Sequence, residues 1–488
     1  MLTTIIKREF IAHIQSLRFS LALMLCVGLM VLNALVLVHS TYQFERDVYR
    51  ENMSQQHQRL RDNGTAGLRR LLLEGPGVLY KKPSELAFCA GFADNKLPDK
   101  ADSGTHSIYL MEYIGGRSID KSFYWPWILS FPTELKDAPL LSTFITIDWV
   151  FVIGVLLSLA TFLFTHDAIV GEKESGTLKL VMANSLPRHT LLWGKFWGAL
   201  LVLIGVLLLS VVLNLLIVLT LADLSLDFSH AVRIGVMILI SVVYLAGCTS
   251  LGLLISAHSS SRRVSLTTVL FVWVSMVLLW PQTGKTIAEL FHEEIHELEH
   301  TKHVYEHGDG TFTWHPIRGY AYGLAMESNR LDPTFIKNFS SALRSERTHH
   351  QELENALLRR RVQQVNLAQN IVRVSPMGAY QYAMEAMAGT GLPRYRHFID
   401  QVRSYAQHFE GTLLAIDRAD SRSLHIPFVK NGLSTQKVKL EQIPVFSEDL
   451  SAAALASSAV VDLVVLGFFA VFTYLAAYLV WLRTSIAN

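Results

Sequence analysis

Charge is scarce in this chain. Asp, Glu, Lys and Arg make up 17% of its 488 residues, against roughly 25% in a soluble globular protein. The net charge is only +2, so the basic excess expected of a nucleic-acid binder is missing. Cysteine is rarer still. Three residues, Cys26, Cys89 and Cys248, are too few for a disulfide framework. Cys26 and Cys248 fall in apolar runs, which leaves Cys89 without a partner in any oxidising compartment. No G-x-x-x-x-G-K-[ST] phosphate loop occurs, so ATP hydrolysis by that route is excluded. There is no repeat and no low-complexity segment. Apolar residues are abundant, at 51% of the chain, and the mean hydropathy is +0.31. Those values exclude an ordinary soluble enzyme and a disordered chain, yet they are too mild for membrane helices alone. They describe strongly apolar segments mixed with ordinary polar domain.

A bilayer core needs about 20 mostly apolar residues in a helix. Six stretches qualify or come close: Phe19–Val38, Phe144–Phe164, Leu191–Leu221, Val232–Ala257, Val264–Trp280 and Ala456–Trp481. The first reads as a signal anchor. A cleaved signal peptide is the alternative, but the apolar core is too long and no small-x-small site precedes Tyr42 and Glu45.

Basic residues set the orientation. Lys7, Arg8 and Arg18 precede the first span, and Lys173, Lys179, Arg188 and Lys195 lie between the second and third. Arg262 and Arg263 lie between the fourth and fifth, and Arg483 follows the sixth. The link 222–230 carries Asp223 and Asp227 but no Lys or Arg. Both termini are therefore expected in the cytoplasm, with the long loops on the other side. The expected fold is an all-α membrane protein with six spans and a mainly helical extracytoplasmic domain built from two long loops.

The boundaries follow. Residues 1–18 form an interfacial amphipathic helix, with Ile6, Phe10, Ile14 and Leu17 at helical spacing and Lys7, Arg8 and Gln15 elsewhere. The first span is 19–39, the first insertion 40–143, the second span 144–166 and a cytoplasmic segment 167–190. Spans three to five occupy 191–281, the second insertion 282–455, the sixth span 456–482 and a tail 483–488. Within the insertions, Tyr42–Asn63, Pro333–Ala368 and Arg394–Ala415 carry helical patterns. Gly389-Thr390-Gly391 separates the last two.

The segment 167–190 carries the functional signal. It reads His166-Asp167-Ala168-Ile169-Val170-Gly171-Glu172-Lys173-Glu174-Ser175-Gly176-Thr177-Leu178-Lys179-Leu180, and Pro187-Arg188 and Gly194-Lys195 open the next span. Gly176 permits a turn. Thr177 can cap a short helix in which Leu178, Leu180 and Val181 offer an apolar face. Such a helix suits docking to a soluble partner; a plain connecting loop is the alternative.

This Glu-Lys-Glu-x-Gly-Thr-Leu pattern, with the Pro-Arg and Gly-Lys entry after it, resembles the permease subunits of the second-type ABC exporters. The large insertions, with Ser375-Pro376 and Ala388-Gly389-Thr390 in the second, resemble a subgroup placed beside permeases for multicopper enzyme maturation. The resemblance implies that Gly171, Glu172, Lys173, Glu174, Gly176, Thr177, Leu178 and Leu180 form a coupling helix seated on an ATPase. It implies a separate ATPase in two copies holding ATP and Mg, a second permease half of the same or related sequence, and a bacterial inner membrane. No cofactor would sit on this chain. A non-transporting mechanotransmitter shares the same segment.

Two further constellations stand apart from it. His292, His296, His300, His303, His307 and His315 follow the fifth span, and the first three share one helix face. They could hold zinc or copper; a solvated Glu/His helix is the alternative. His292-Glu293-Glu294-Ile295-His296 also matches H-E-x-x-H, the signature of zinc peptidases. Against that stand the charge of Glu294, the missing glycine turn and the His/Glu richness of the region. Polar residues also mark the spans. Asp148 and Asp462 lie near span ends, and Asn33 and Asn214 within apolar runs. Such groups can serve cargo or protons, or join helices.

Overall fold

The computed structural model describes residues 2–36, 43–91, 94, 97–103, 107–114, 117–124, 127–131, 147–183, 187–221, 226–291, 333–426, 432–449 and 452–483. The chain is mostly helical, and among the described residues six helices are long and apolar enough to cross a membrane. In chain order the first elements are α1 (Leu2–Ile14), α2 (Leu17–Asn33), α3 (Gln43–Ala66) and α4 (Leu68–Glu74). Two antiparallel hairpins follow, β1 (Val78–Tyr80) with β2 (Lys100–Asp102) and β3 (Ser107–Ile114) with β4 (Arg117–Tyr124).

The second span combines α5 (Trp149–Phe151), a π segment (Val152–Leu157) and α6 (Ser158–Thr165). Asp148 ends the helix by accepting the Phe151 N–H at 2.9 Å, so it is the cap of the span. Then come α7 (Val170–Glu174), α8 (Thr177–Ala183), α9 (Arg188–Leu221), α10 (Phe228–His258) and α11 (Arg262–Trp273). A second π segment (Val274–Leu279) leads into α12 (Trp280–Phe291). The remainder is α13 (Pro333–Val372), α14 (Pro376–Ala388), α15 (Gly391–Ala419) and α16 (Ala452–Arg483).

The bundle has two unlike ends. One end, the rim, carries α1, the elbow of α7 and α8, and the last turn of α16. Here Arg188 donates to the Leu482 carbonyl at 2.6 Å, and Trp481 donates to the Arg188 carbonyl at 2.9 Å. The other end carries both long loops. One hydrophobic core there draws on each: Leu60, Leu71, Leu79 and Trp127 from the first, and Phe398, Val402, Phe409 and Phe446 from the second. Arg347 ties the halves together. It pairs with Glu410 at 2.6 Å and lies over the Trp127 ring at 4.8 Å.

Helix α14 is the element that the periodicities did not single out. At 13 residues it is too short to span, yet Met377, Tyr380, Ala383 and Met384 belong to the core of the bundle. The turn 373–375 puts its start deep among the spans, where Ser375 Oγ donates to the Met276 carbonyl at 2.6 Å. The two π segments make its seat. A Cβ on Gly154 would lie 2.6 Å from Met377, Tyr244 donates to the Gly154 carbonyl at 2.9 Å, and the Tyr244 and Tyr380 rings stack at 4.6 Å. π segments are rare, and they free carbonyls for tertiary partners.

Two measurements check the loop-end core. Phe409 is fully buried against Trp127, at 6.4 Å between ring centroids, so Phe409→Ala should cost about 3–5 kcal/mol. Thermal unfolding followed by tryptophan emission reads this loss. Burial pushes the Asp417 carboxyl up, but hydrogen bonds from the Ser434 N–H, His425 and Ser423 outweigh it and hold the group below its usual range. Its stabilisation is therefore present above the normal carboxylate range and lost as pH falls through the depressed value. Asp417→Asn should flatten that acid limb and lower stability at neutral pH.

Candidate coupling rim

At the rim the short helices are fastened from several sides. Helix α1 lies on α9 through glycine contacts: a Cβ on Gly194 would fall 2.4 Å from Ile5, and one on Gly198 2.5 Å from Glu9. This is close packing of a small-x-x-x-small pair. The contact face is Ile5, Glu9 and His13, while Ile14 and Leu17 stay exposed, the latter at 75%. Both belong to the apolar stripe that an interfacial helix would turn toward lipid.

Lys195 is the centre of the rim. Its side chain is 3% exposed and its Nζ reaches Glu172 at 2.8 Å and Glu9 at 3.1 Å. One buried cation thus joins α1, α7 and α9. Such a site tolerates charge only because each partner is present. Arg18 joins α2 to the end of the second span, donating to Asp167 at 3.0 Å and to the Leu163 carbonyl at 2.8 Å.

The elbow itself is held by the end of α10 and the start of α11. Ser256 Oγ accepts the Ile169 and Val170 N–H groups at 3.0 and 3.2 Å, satisfying the open first turn of α7. Lys173 donates to the Ala257 carbonyl at 2.5 Å. Glu174 accepts the Arg262 N–H at 2.8 Å, placing a carboxylate at the start of α11. Arg262 also donates to the Gly171 carbonyl at 2.9 Å. Gly176, at φ +70°, makes the bend between α7 and α8 that a side chain would strain.

The proposed coupling residues therefore divide. Gly171, Glu172, Lys173 and Glu174 face the bundle, and Leu178 is buried in its core. Gly176, Thr177, Lys179 and Leu180 are exposed, Leu180 at 71%. Sequence reasoning missed Glu9 altogether. The available signal was a carboxylate on the same helix face as Ile5 and His13.

The intramembrane polar residues serve joints. Asn214 donates to the Met30 carbonyl at 2.7 Å and to Asn33 at 2.8 Å, and accepts Trp149 Nε1 at 3.0 Å. It locks three helices with its donors and acceptor all engaged. Asp462 pairs with Arg373 at 2.5 Å, fixing the turn before α14 to α16. His292, His296, His300 and His303, with the H-E-x-x-H match at Glu293, lie outside the described residues. Among the described residues no group of three or more metal-ligating side chains occurs.

The rim triad predicts a large asymmetry between two lysine-like losses. Lys195→Met leaves two partly buried carboxylates without their shared cation and should cost about 3 kcal/mol. Arg18→Gln removes a pair whose side chains are 44% and 28% exposed, and should cost about 1 kcal/mol or less. Thermal aggregation of the detergent-solubilised protein compares them.

No curated protein matches the chain significantly. A family model described as ABC-2 family transporter protein matches residues 3–485. That match takes in all six spans, both long loops and the rim. The chain belongs to the ABC-2 transporter family, as a multi-pass membrane permease subunit of an ABC transporter that associates with an ABC ATPase.

Proposed function

We propose that this chain is one permease half of an exporter in the bacterial inner membrane, driven through the elbow of α7 and α8. ATP and Mg reside on the separate ATPase, present in two copies. A second permease of the same or related sequence completes the pathway. The rim faces the cytoplasm and the loop domain the other side. The gathering of Lys7, Arg8, Arg18, Lys179, Arg188, Arg262, Arg263 and Arg483 near the rim supports this orientation.

One observation carries the coupling role. The elbow is clamped on its inner face by Ser256, Arg262 and Lys195, while Gly176, Thr177, Lys179 and Leu180 are exposed on its outer face. A force on the outer face is passed to α9, α10 and α11 at once. Glu172 and Leu178 transmit it, and Leu180 receives it.

A mechanotransmitter acting on a partner of the loop domain is the second reading. Its support is the direct passage of the chain from the bundle core at Ala388 to the loop-end core at Leu392.

Leu180→Asp tests the coupling role. Co-purification with the ATPase should fall at least about tenfold, the loss that about 1.4 kcal/mol produces. The isolated permease should keep its melting temperature, because an exposed side chain contributes little to stability. Unchanged co-purification would refute docking at the elbow. Substrate flux in reconstituted vesicles separates the exporter from the mechanotransmitter.

A further inference from the structure

The turn 389–391 covers an unusual carboxyl group. Glu385 lies in the last turn of α14, at the loop end of the bundle, and is 1% exposed. Its Oε1 accepts Gln381 Nε2 at 2.7 Å. Its Oε2 is buried with no hydrogen-bond partner. That oxygen lies under Gly391, where a Cβ would approach it to 2.7 Å. The turn is drawn tight over it. Gly389 and Gly391 take φ of +68° and +73°, and the Thr390 N–H donates to the Glu385 carbonyl at 2.9 Å. Thr390 Oγ1 donates to the Ala90 carbonyl at 2.5 Å.

Among the described residues, the cations around this site are drawn to other groups. On the first loop, Lys81 pairs with Asp94 at 2.9 Å, Lys82 with Glu85 at 3.4 Å, and Cys89 is buried. On α10, His230 pairs with Glu85 at 3.0 Å, and Arg233 donates to the Met387 carbonyl at 2.7 Å. On α15, Arg394 pairs with the fully buried Glu448 at 3.3 Å, and Arg396 feels the charge of Asp400. From the turn before α14 and from α16 come Arg373 and Asp462, paired with each other. The cap of the second span adds Asp148, and α14 itself carries Tyr380 and Tyr382. Behind burial, the carboxylates of Asp148, Asp94 and Asp462 add to the upward push on Glu385.

We propose that Glu385 is a proton-binding site that governs the joint between the span bundle and the loop domain. With the proton on, the carboxyl is neutral and the turn 389–391 closes over it. When the Oε–H bond breaks and the proton passes to water, the carboxylate needs solvent that the closed joint excludes. The joint then opens. Burial, with those neighbouring carboxylates, pushes the group up to about 8, so the change falls within the physiological range. The lever is short, because α14 belongs to the bundle core and α15, beginning at Gly391, to the loop-end core.

Cys89 is a native reporter. It is fully buried beside Ala90, which holds the turn through Thr390. The full chain is placed in native membranes as a C26A/C248A variant, leaving one thiol. Cys89 labelling by N-ethylmaleimide is measured from pH 6 to pH 9, with and without E385Q. At each pH the ratio of the two rates cancels the ionisation of the thiol itself. The ratio should be near one at pH 6 and rise at least about fivefold by pH 9, with its midpoint near pH 8. A flat ratio overturns the proposal. Failure of both E385Q and E385M to assemble at pH 6 also overturns it, since the site would then need a charge. Neither ATP nor a transport substrate enters the measurement, so its outcome is independent of the exporter reading.

Discussion

A charge inside an apolar bundle persists only where every partner is fixed. Lys195 shows what that requirement does to the architecture. Its ammonium is met by Glu9 and Glu172 from two other elements, so three helices cannot move independently without exposing a buried charge. The same rule operates at Arg373 and Asp462, and at Arg394 and Glu448, whose side chains are 0% exposed. These three pairings mark the rim, the turn before α14 and the root of the loop domain. Lipid offers little drive for helix association beyond packing. The polar joints therefore decide which helices move together.

A contiguous path links those joints. The second span continues from the π segment at Val152–Leu157 through α6 toward the elbow at Val170–Glu174. The π segment supports Met377, at the start of α14, through Gly154. Beyond α14 the chain enters α15 and the loop-end core. A π segment holds one residue more per turn than its α neighbours need, so its conversion to α geometry turns everything beyond it. Gly154 lies in that segment, so the π geometry and the seat of α14 share one position.

The spans were legible because their signal is long and local. Among the described residues the structure has six helices long and apolar enough to cross a membrane, in the order the hydropathy reading expects, and Asp148 caps the second. The rim segment was legible because charge and glycine interrupt apolar runs there. What escaped was tertiary. Glu9 reads as an ordinary surface acid until α9 is laid against it. Arg373 sits in an unremarkable stretch, and only the approach of α16 gives it Asp462. Helix α14 did leave local marks. Ser375 caps it, Pro376 occupies its first position and Gly389 ends it in the left-handed region. Its run of 13 residues is too short for a span filter and too apolar for a surface helix. Both filters therefore pass over a re-entrant helix.

Composition conceals the same element. Glu385 counts as one more charge in the average for a polar loop, although its surroundings are those of the bundle core. Gly391 likewise counts as one more turn residue, although a side chain there would collide with that carboxyl group. The two constraints are one constraint. The turn can close only if the residue above has no Cβ and the acid below carries no charge. The glycine satisfies the first condition permanently, and only the second can change in a folded protein. A joint built this way responds to protons because its geometry leaves no other variable.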